Sequence, residues 1–303
     1  MKNKDFLSIR DLTREEIALI FERARENRLG MPVRTLAGKA VVLVFEKAST
    51  RTRISFEVGI ARLGGHPVML TTEGSQMGRG EPLKDTARVL AGYCDAIVMR
   101  TFEHTRIEEM AYFAHVPVIN ALTDLLHPCQ VISDCFTLAE RFGGFSERKI
   151  CWIGDGNNMA NSWINAAAVL GFELTLACPP GYEPDQKVLD TALAEGTRVS
   201  VVRDPREAAR GAIAINTDVW ASMGQESEAH RRAKAFSPYQ VDGAIMDVAS
   251  SDAVFMHCLP AHRGEEVTES VLEGPRSIVW EQARNRLYIQ EAVMDFLLRE
   301  QKE

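Results

Sequence analysis

The sequence predicts an α/β protein of two domains, each a parallel sheet with helices on both faces. Three observations predict it. Short β-branched runs alternate with stretches of helical period along most of the chain. The alternation breaks at Gly143-Gly144 and then starts again. The 303 residues suit two such domains, at roughly 100–200 residues each.

The elements follow in order. Thr13-Arg14-Glu15-Glu16 reads as a capping box, with Ile17, Ile20, Phe21 and Ala24 on one helical face behind it. Residues 40–45 are an unbroken apolar run after Gly38 and predict a buried strand. A helix follows through residues 54–63 and stops at Gly64-Gly65. Residues 67–70, 96–99 and 116–119 are further strand candidates, with helical stretches between them. After Gly143-Gly144 the strand candidates are residues 149–153, 173–177, 198–202, 212–215, 253–257 and 277–280. A last amphipathic helix carries Val293, Met294, Leu297 and Leu298 and is free to fold back on either domain. The domains join near residues 125–148.

Composition narrows the function. Hydrophobic residues make up 46% and charged residues 25%, enough for a large core without staples. A formal net charge of -7 argues against a nucleic-acid coat, so any anion site is a local arrangement of positive groups. No apolar run reaches membrane-spanning length, and no apolar signal region follows the N-terminal Met1-Lys2-Asn3-Lys4-Asp5. The six cysteines, Cys94, Cys129, Cys135, Cys151, Cys178 and Cys258, form no C-x-x-C pair. They read as reduced thiols of a cytoplasmic protein, with no metal site.

Ligand sites in open parallel sheets lie beyond the carboxyl ends of strands, and the unusual polar clusters fall there. Ser49-Thr50-Arg51-Thr52-Arg53 sits between a buried strand and a helix. Its hydroxyls, guanidiniums and free amides meet at one helix N-terminus and make an anion site. A plain N-cap needs one hydroxyl, not three beside two arginines. His127-Pro128-Cys129-Gln130 opens a helix, with His127 and Gln130 about one turn apart on one face. A lone histidine before a proline is commonly just a cap.

Gly154-Asp155-Gly156-Asn157-Asn158 half-matches a dinucleotide fingerprint. Met159 stands at the third glycine position and Cys178 where an acidic ribose ligand belongs. Asp218-Val219-Trp220-Ala221-Ser222-Met223-Gly224 suits an amino acid's ammonium group, or is an ordinary loop with an aromatic anchor. His257-Cys258-Leu259-Pro260 suggests a thiolate nucleophile. Adjacent strand residues point to opposite faces, which favours Cys258 as a contact over half of a Cys–His dyad.

Together these motifs resemble the carbamoyltransferase family over essentially the whole chain. The motifs at 49–53, 127–130 and 257–260 have that family's order and spacing. The loop ending Ser222-Met223-Gly224 is similar to that of the ornithine-using members and is absent from the aspartate-using ones. The resemblance implies two α/β domains with the active site in the cleft between them. It implies a carbamoyl-phosphate-binding domain at 1–134, an ornithine-binding domain at 148–285, and a final helix at 286–303 packing back on the first. It implies a homo-oligomer, a trimer or multiples of trimers, with sites shared between subunits.

The resemblance also carries roles. Ser49, Thr50, Arg51 and Thr52 match the phosphate cradle. Arg100 matches the arginine bridging phosphate and carbonyl oxygen, His127 the donor to that oxygen, and Gln130 the acceptor for the carbamoyl amide. Gln76 matches a loop residue reaching a neighbouring subunit's site. Asn158, Asp218, Ser222 and Met223 match ornithine contacts. Cys258 and Leu259 match contacts near the reacting carbon, and Arg286 a late arginine on the same substrate. Arg100, His127 and Cys258 form the expected catalytic set. The implied reaction is carbamoyl transfer from carbamoyl phosphate to ornithine, with no cofactor, no metal, no nucleic acid and no membrane. The competing readings are a nicotinamide oxidoreductase, a non-catalytic member of the fold, and relatives using putrescine, aspartate or an acylated ornithine.

Overall fold

The structure, a computed structural model, describes residues 5–30, 34–72, 75–221 and 228–299. The chain divides into two compact units, Met1–Ser133 with Asn285–Glu303, and Asp134–Arg284.

The first unit opens with α1 (Arg14–Arg28). Its capping box is formed: Glu16 N donates to Thr13 Oγ1 at 3.2 Å, and Thr13 N donates to the Glu16 carboxylate at 2.7 Å. Then come β1 (Ala40–Phe45), α2 (Thr50–Arg62), β2 (His66–Thr71), α3 (Leu83–Ala91), β3 (Ala96–Arg100), α4 (His104–Phe113), β4 (Val118–Leu122) and the start of α5 (Pro128–Phe142). Among the described residues the strands form one parallel sheet in the order β2-β1-β3-β4. The inner strands β1 and β3 are buried almost throughout, which is why both read as continuous apolar runs. Val42, Val44, Ile97 and Met99 pack with Leu83, Ala87, Ile107 and Met110 in the core. Strand β2 lies at the edge, and none of its residues is buried. Strand β4 starts two residues later than the sequence pattern suggests. Pro117 has no N–H to give the ladder, although its carbonyl accepts from Ile97 N at 2.9 Å.

The second unit contains β5 (Lys149–Ile153), α6 (Asn158–Leu170), β6 (Glu173–Ala177), α7 (Gln186–Ala194), β7 (Val199–Val202), α8 (Pro205–Ala209), β8 (Ala214–Thr217), α9 (Ala229–Phe236), α10 (Gly243–Val248), β9 (Val254–His257) and α11 (Glu269–Leu272). Among the described residues these strands form a parallel sheet in the order β7-β6-β5-β8-β9. Strand order reverses direction at β5, so the loops after β5 and β8 part there. That is where a crevice opens in such sheets.

The stretch at 277–280 is not the strand expected from its β-branched residues. Ser277 makes a single isolated bridge to Phe255. The chain then enters α12 (Val279–Leu298), closed by Gln282 N donating to Ile278 O at 2.9 Å. Three apolar residues are too few to outweigh the helix formers after them, Glu281 to Arg284. From Asn285 onward α12 belongs to the first unit. Glu291 meets Arg62 at 3.1 Å, and Asp295 meets Arg23 at 3.5 Å and the Thr35 hydroxyl. A β-carbon at Gly59 would stand 3.1 Å from Glu291 Cγ, so the glycine lets the helix lie close. Among the described residues, no helix is long and apolar enough to cross a membrane.

Candidate active site

In the first unit the carboxyl ends of β1, β3 and β4 share one edge of the sheet, because all strands run parallel. Ser49 follows β1 in extended conformation and caps α2, its Oγ accepting from Thr52 N at 3.3 Å. Thr50 and Arg51 are exposed on the first turn, and Thr52 is buried. Thr52 Oγ1 accepts from a guanidinium N–H of Arg286 at 2.8 Å, so α12 brings a buried arginine to the N-terminus of α2. Arg53 turns away along the helix to Glu57 at 3.0 Å and leaves the cluster. The loop is therefore more than a cap. It joins a helix dipole, hydroxyls, Arg51 and Arg286.

Arg100 ends β3 and is buried, with its carbonyl accepting from Glu46 N at 2.9 Å. His127 caps α5: Gln130 N and Val131 N donate to its carbonyl at 3.2 and 3.3 Å. The His127 side chain is buried, and Gln130 is buried one turn later. Burial, then the charges of Arg286 and Arg100, holds the His127 pKa well below the usual imidazole range. The ring is thus neutral, a donor through one N–H rather than an imidazolium. Thr52, Arg100, His127 and Arg286 are one electrostatic group. Gln76 is exposed and precedes a 3-10 segment at Met77–Arg79.

In the second unit Asp218 follows β8 and is buried. Its Oδ1 accepts from Val219 N at 2.8 Å and from Cys258 Sγ at 3.1 Å, and its Oδ2 accepts from Asn157 Nδ2 at 2.9 Å. Asn157 also caps α6, its Oδ1 accepting from Met159 N and Ala160 N. Asn158, half-buried, begins that helix and accepts from the Ser162 hydroxyl at its carbonyl. Ser222 and Met223 lie outside the described residues.

Cys258 is half-buried just past β9, with its thiol on Asp218, while His257 makes other bonds; the two do not form a dyad. The other five cysteines are buried. Burial pushes Cys94 up to about 11 and Cys129 up to about 12, which removes them as thiolate nucleophiles. Leu259 has φ 60, and the Leu259–Pro260 bond is cis.

The structure adds contacts that spacing does not show. Asp218, His257 and Cys258 offer ligand atoms within 4.8 Å of one another. Both ring nitrogens of His257 are engaged, however, Nδ1 by Leu259 N at 2.8 Å and Nε2 by Glu266 at 3.2 Å, so that ring has no lone pair to spare. Arg232 on α9 bonds Asp155 at 2.7 Å and the Trp220 carbonyl at 2.9 Å, anchoring the loop that starts at Asp218. Gln282 accepts from His257 N at 2.9 Å and donates to Asp134 at 2.8 Å. The Asn157, Arg232 and Gln282 contacts join residues too far apart in the chain to leave a local signal, and Glu266 follows His257 in no motif that links them. Gly156 argues against a dinucleotide site, since its missing side chain makes room for the protein itself. A β-carbon there would lie 2.2 Å from Glu183 C and Pro184 N.

Comparison with known proteins agrees with this geometry. Residues 4–140 match the family model described as the carbamoyl-P binding domain of aspartate/ornithine carbamoyltransferase, and residues 146–297 match that of its Asp/Orn binding domain. The ornithine carbamoyltransferase of Geobacter sulfurreducens is 54% identical, over 98% of this chain and 99% of its own length. The solved ornithine carbamoyltransferase from Pyrococcus furiosus superimposes with a TM-score of 0.94 at 46% identity, covering 99% of both chains. The anabolic ornithine carbamoyltransferase from Campylobacter jejuni gives 0.91 at 40% identity, covering 98% of this chain and 99% of its own. Matches of this extent place both halves of the molecule at once, and the chain belongs to the aspartate/ornithine carbamoyltransferase family.

Proposed function

We propose that this protein transfers the carbamoyl group of carbamoyl phosphate to the side-chain amine of L-ornithine, giving L-citrulline and phosphate. The observation that carries the reading is the buried group of Thr52, Arg100, His127 and Arg286 at the N-terminus of α2. Thr52, Arg100 and His127 lie within the residues matched to a carbamoyl-P binding domain, and Arg286 joins them from the last helix, within the residues matched to the Asp/Orn binding domain.

The first unit is the carbamoyl-phosphate half. Ser49, Thr50, Arg51 and Thr52 receive the phosphate, and Arg286 adds charge through Thr52. The amine attacks the carbamoyl carbon, and negative charge develops on the carbonyl oxygen. Arg100 and the neutral His127 N–H stabilise it, and Gln130 accepts from the carbamoyl NH2. The C–O bond to phosphate then breaks, the leaving phosphate takes up the proton that the attacking nitrogen gives up, and it departs as hydrogen phosphate held by Arg51 and the helix dipole. This chemistry needs no protein nucleophile and no cofactor. Its acceleration comes from positioning and electrostatics.

The second unit is the ornithine half. Asp218 faces the substrate's ammonium group, Asn158, Ser222 and Met223 the rest of the amino acid, and Cys258 and Leu259 the reacting carbon. The attacking amine must be neutral, and with a reference pKa of roughly 10.4 only about one molecule in a thousand is ready near neutral pH. Desolvation in the site raises that fraction.

The acceptor assay tests this reading: kcat/KM for ornithine, putrescine and aspartate at saturating carbamoyl phosphate. A site built around polar groups rejects an analogue lacking them by roughly 10⁴-fold. Ornithine should therefore far exceed putrescine, with no useful rate on aspartate. Putrescine matching ornithine would overturn the assignment.

The protein acts in arginine metabolism in the cytoplasm, as a trimer in which exposed Gln76 serves a neighbour's site. Mixed oligomers of Gln76→Ala and Arg51→Ala chains should then regain activity, because a hybrid site draws intact Gln76 and Arg51 from different chains. No recovery in mixtures shown to contain hybrids would mean that each chain builds its site alone.

A further inference from the structure

His257 and Glu266 are fully buried in the second unit and belong to none of the roles above. His257 is the last residue of β9 and precedes Cys258 and Leu259. Its Nδ1 lies 2.8 Å from Leu259 N, whose hydrogen is always present. Nδ1 must therefore carry a lone pair, and the ring proton sits on Nε2. That N–H points at Glu266 Oε1, 3.2 Å away. The same oxygen accepts from His262 N at 2.6 Å, which fixes the carboxylate in turn. Gln282 accepts from the backbone N–H of His257 itself at 2.9 Å. Leu259 is held at φ 60, a conformation residues with a side chain seldom adopt. Between the two bonded residues stands Cys258, whose thiol reaches Asp218 at 3.1 Å.

We infer that His257 is a positioning residue: in the Nε2–H form selected by Glu266, its Nδ1 holds the Leu259 amide and so aims the Cys258–Leu259 turn at Asp218. The chain of bonds runs from Glu266 through the imidazole to Leu259 N–H. Loss of the Nδ1 acceptor releases the turn, while loss of the Glu266 bond alone leaves the acceptor in place. Its effect on turnover rests on the function proposed above. Its effect on Cys258 does not.

Two near-isosteres separate the bonds. Asparagine puts its amide oxygen near the place of Nδ1, and glutamine puts its amide near the place of Nε2. His257→Asn should keep Leu259 held, and His257→Gln should free it. In the folded protein the readout is the rate of Cys258 alkylation by iodoacetamide, since the other five thiols are buried. His257→Gln should change that rate by about tenfold, the effect of losing one buried acceptor, and His257→Asn far less. The ornithine kcat/KM should fall in the same order. Nitrogen-15 NMR of the parent protein gives a second measurement that needs no variant. His257 should show a protonated Nε2 and a bare Nδ1. A protonated Nδ1, or equal effects of the two substitutions on Cys258, would overturn the inference. Normal thiol and NMR behaviour without citrulline formation would instead sink only the proposed reaction.

Discussion

Asp218 shows how much a single side chain's surroundings decide. A carboxylate has about four acceptor positions. Val219 N, Cys258 Sγ and Asn157 Nδ2 occupy three. Among the described residues that leaves a pre-oriented acceptor on Oδ2, suited to one N–H of an ammonium group. Asp218→Asn removes the charge and turns half of that acceptor into a donor. The ornithine KM should rise by about tenfold or more, the equivalent of one charged hydrogen bond. Titration with carbamoyl phosphate alone should give a Kd within about twofold of the parent. A Kd weakened as much as KM would place Asp218 in the wrong role. Asp218 itself was legible, as an acid beyond a strand end. Its partner Asn157 was not, because the adjacent Asn158 fits the motif equally well and only geometry separates them. Cys258 beside His257 suggested a dyad to rule out. The structure explains the pairing differently, with each side chain bonded to a separate acid.

At the level of elements, the strands were legible where apolar runs are unbroken. Residues 149–153 and 173–177 stand as strands at the limits expected, each a buried run that opens on a half-buried charged residue, Lys149 or Glu173. Residues 277–280 failed for the converse reason: a run of three apolar residues carries no period, and the following helix claims them. Loop anchoring was invisible, because it depends on one helix meeting two loops distant in sequence. Arg232 on α9 is such an anchor, buried against Asp155 and the Trp220 carbonyl and lying over the Tyr182 ring at 4.9 Å. Burial raises the Asp155 pKa, and Arg232 opposes that rise. Arg232→Ala leaves an uncompensated buried carboxylate and an orphaned carbonyl. The unfolding transition carrying the second unit should lose roughly 3–5 kcal/mol in urea denaturation. A loss below about 1 kcal/mol, the range of an exposed pair, would show the anchor to be dispensable.

Over the whole molecule, two buried groups in the first unit tie stability to pH in opposite senses. His127 has a depressed pKa when folded, so as pH falls below its unfolded value of 6.5 only the unfolded chain takes up the proton, and stability falls. Glu291 is the reverse case. Burial raises its pKa from 4.5 to about 7, so the folded chain holds the proton first and stability rises as pH falls through that window. Each masks the other. Glu291→Gln removes one arm, and the drop in Tm between about pH 7 and about pH 5 should then be larger than in the parent protein. An unchanged drop would mean that Glu291 titrates normally. Glu291 also bears on how the chain is made. It meets Arg62, and Arg286 meets Thr52, so contacts of the first unit join residues more than two hundred positions apart. A ribosome adding roughly 5–20 residues per second finishes the sheet of the first unit and then spends roughly 8–30 seconds on the second before Arg286 exists. The second unit is continuous from Asp134 to Arg284 and is complete first. During that interval the N-terminus of α2 has its hydroxyls and its helix dipole but not the arginine that joins them, and the face of α2 around Gly59 waits uncovered for the helix that closes it.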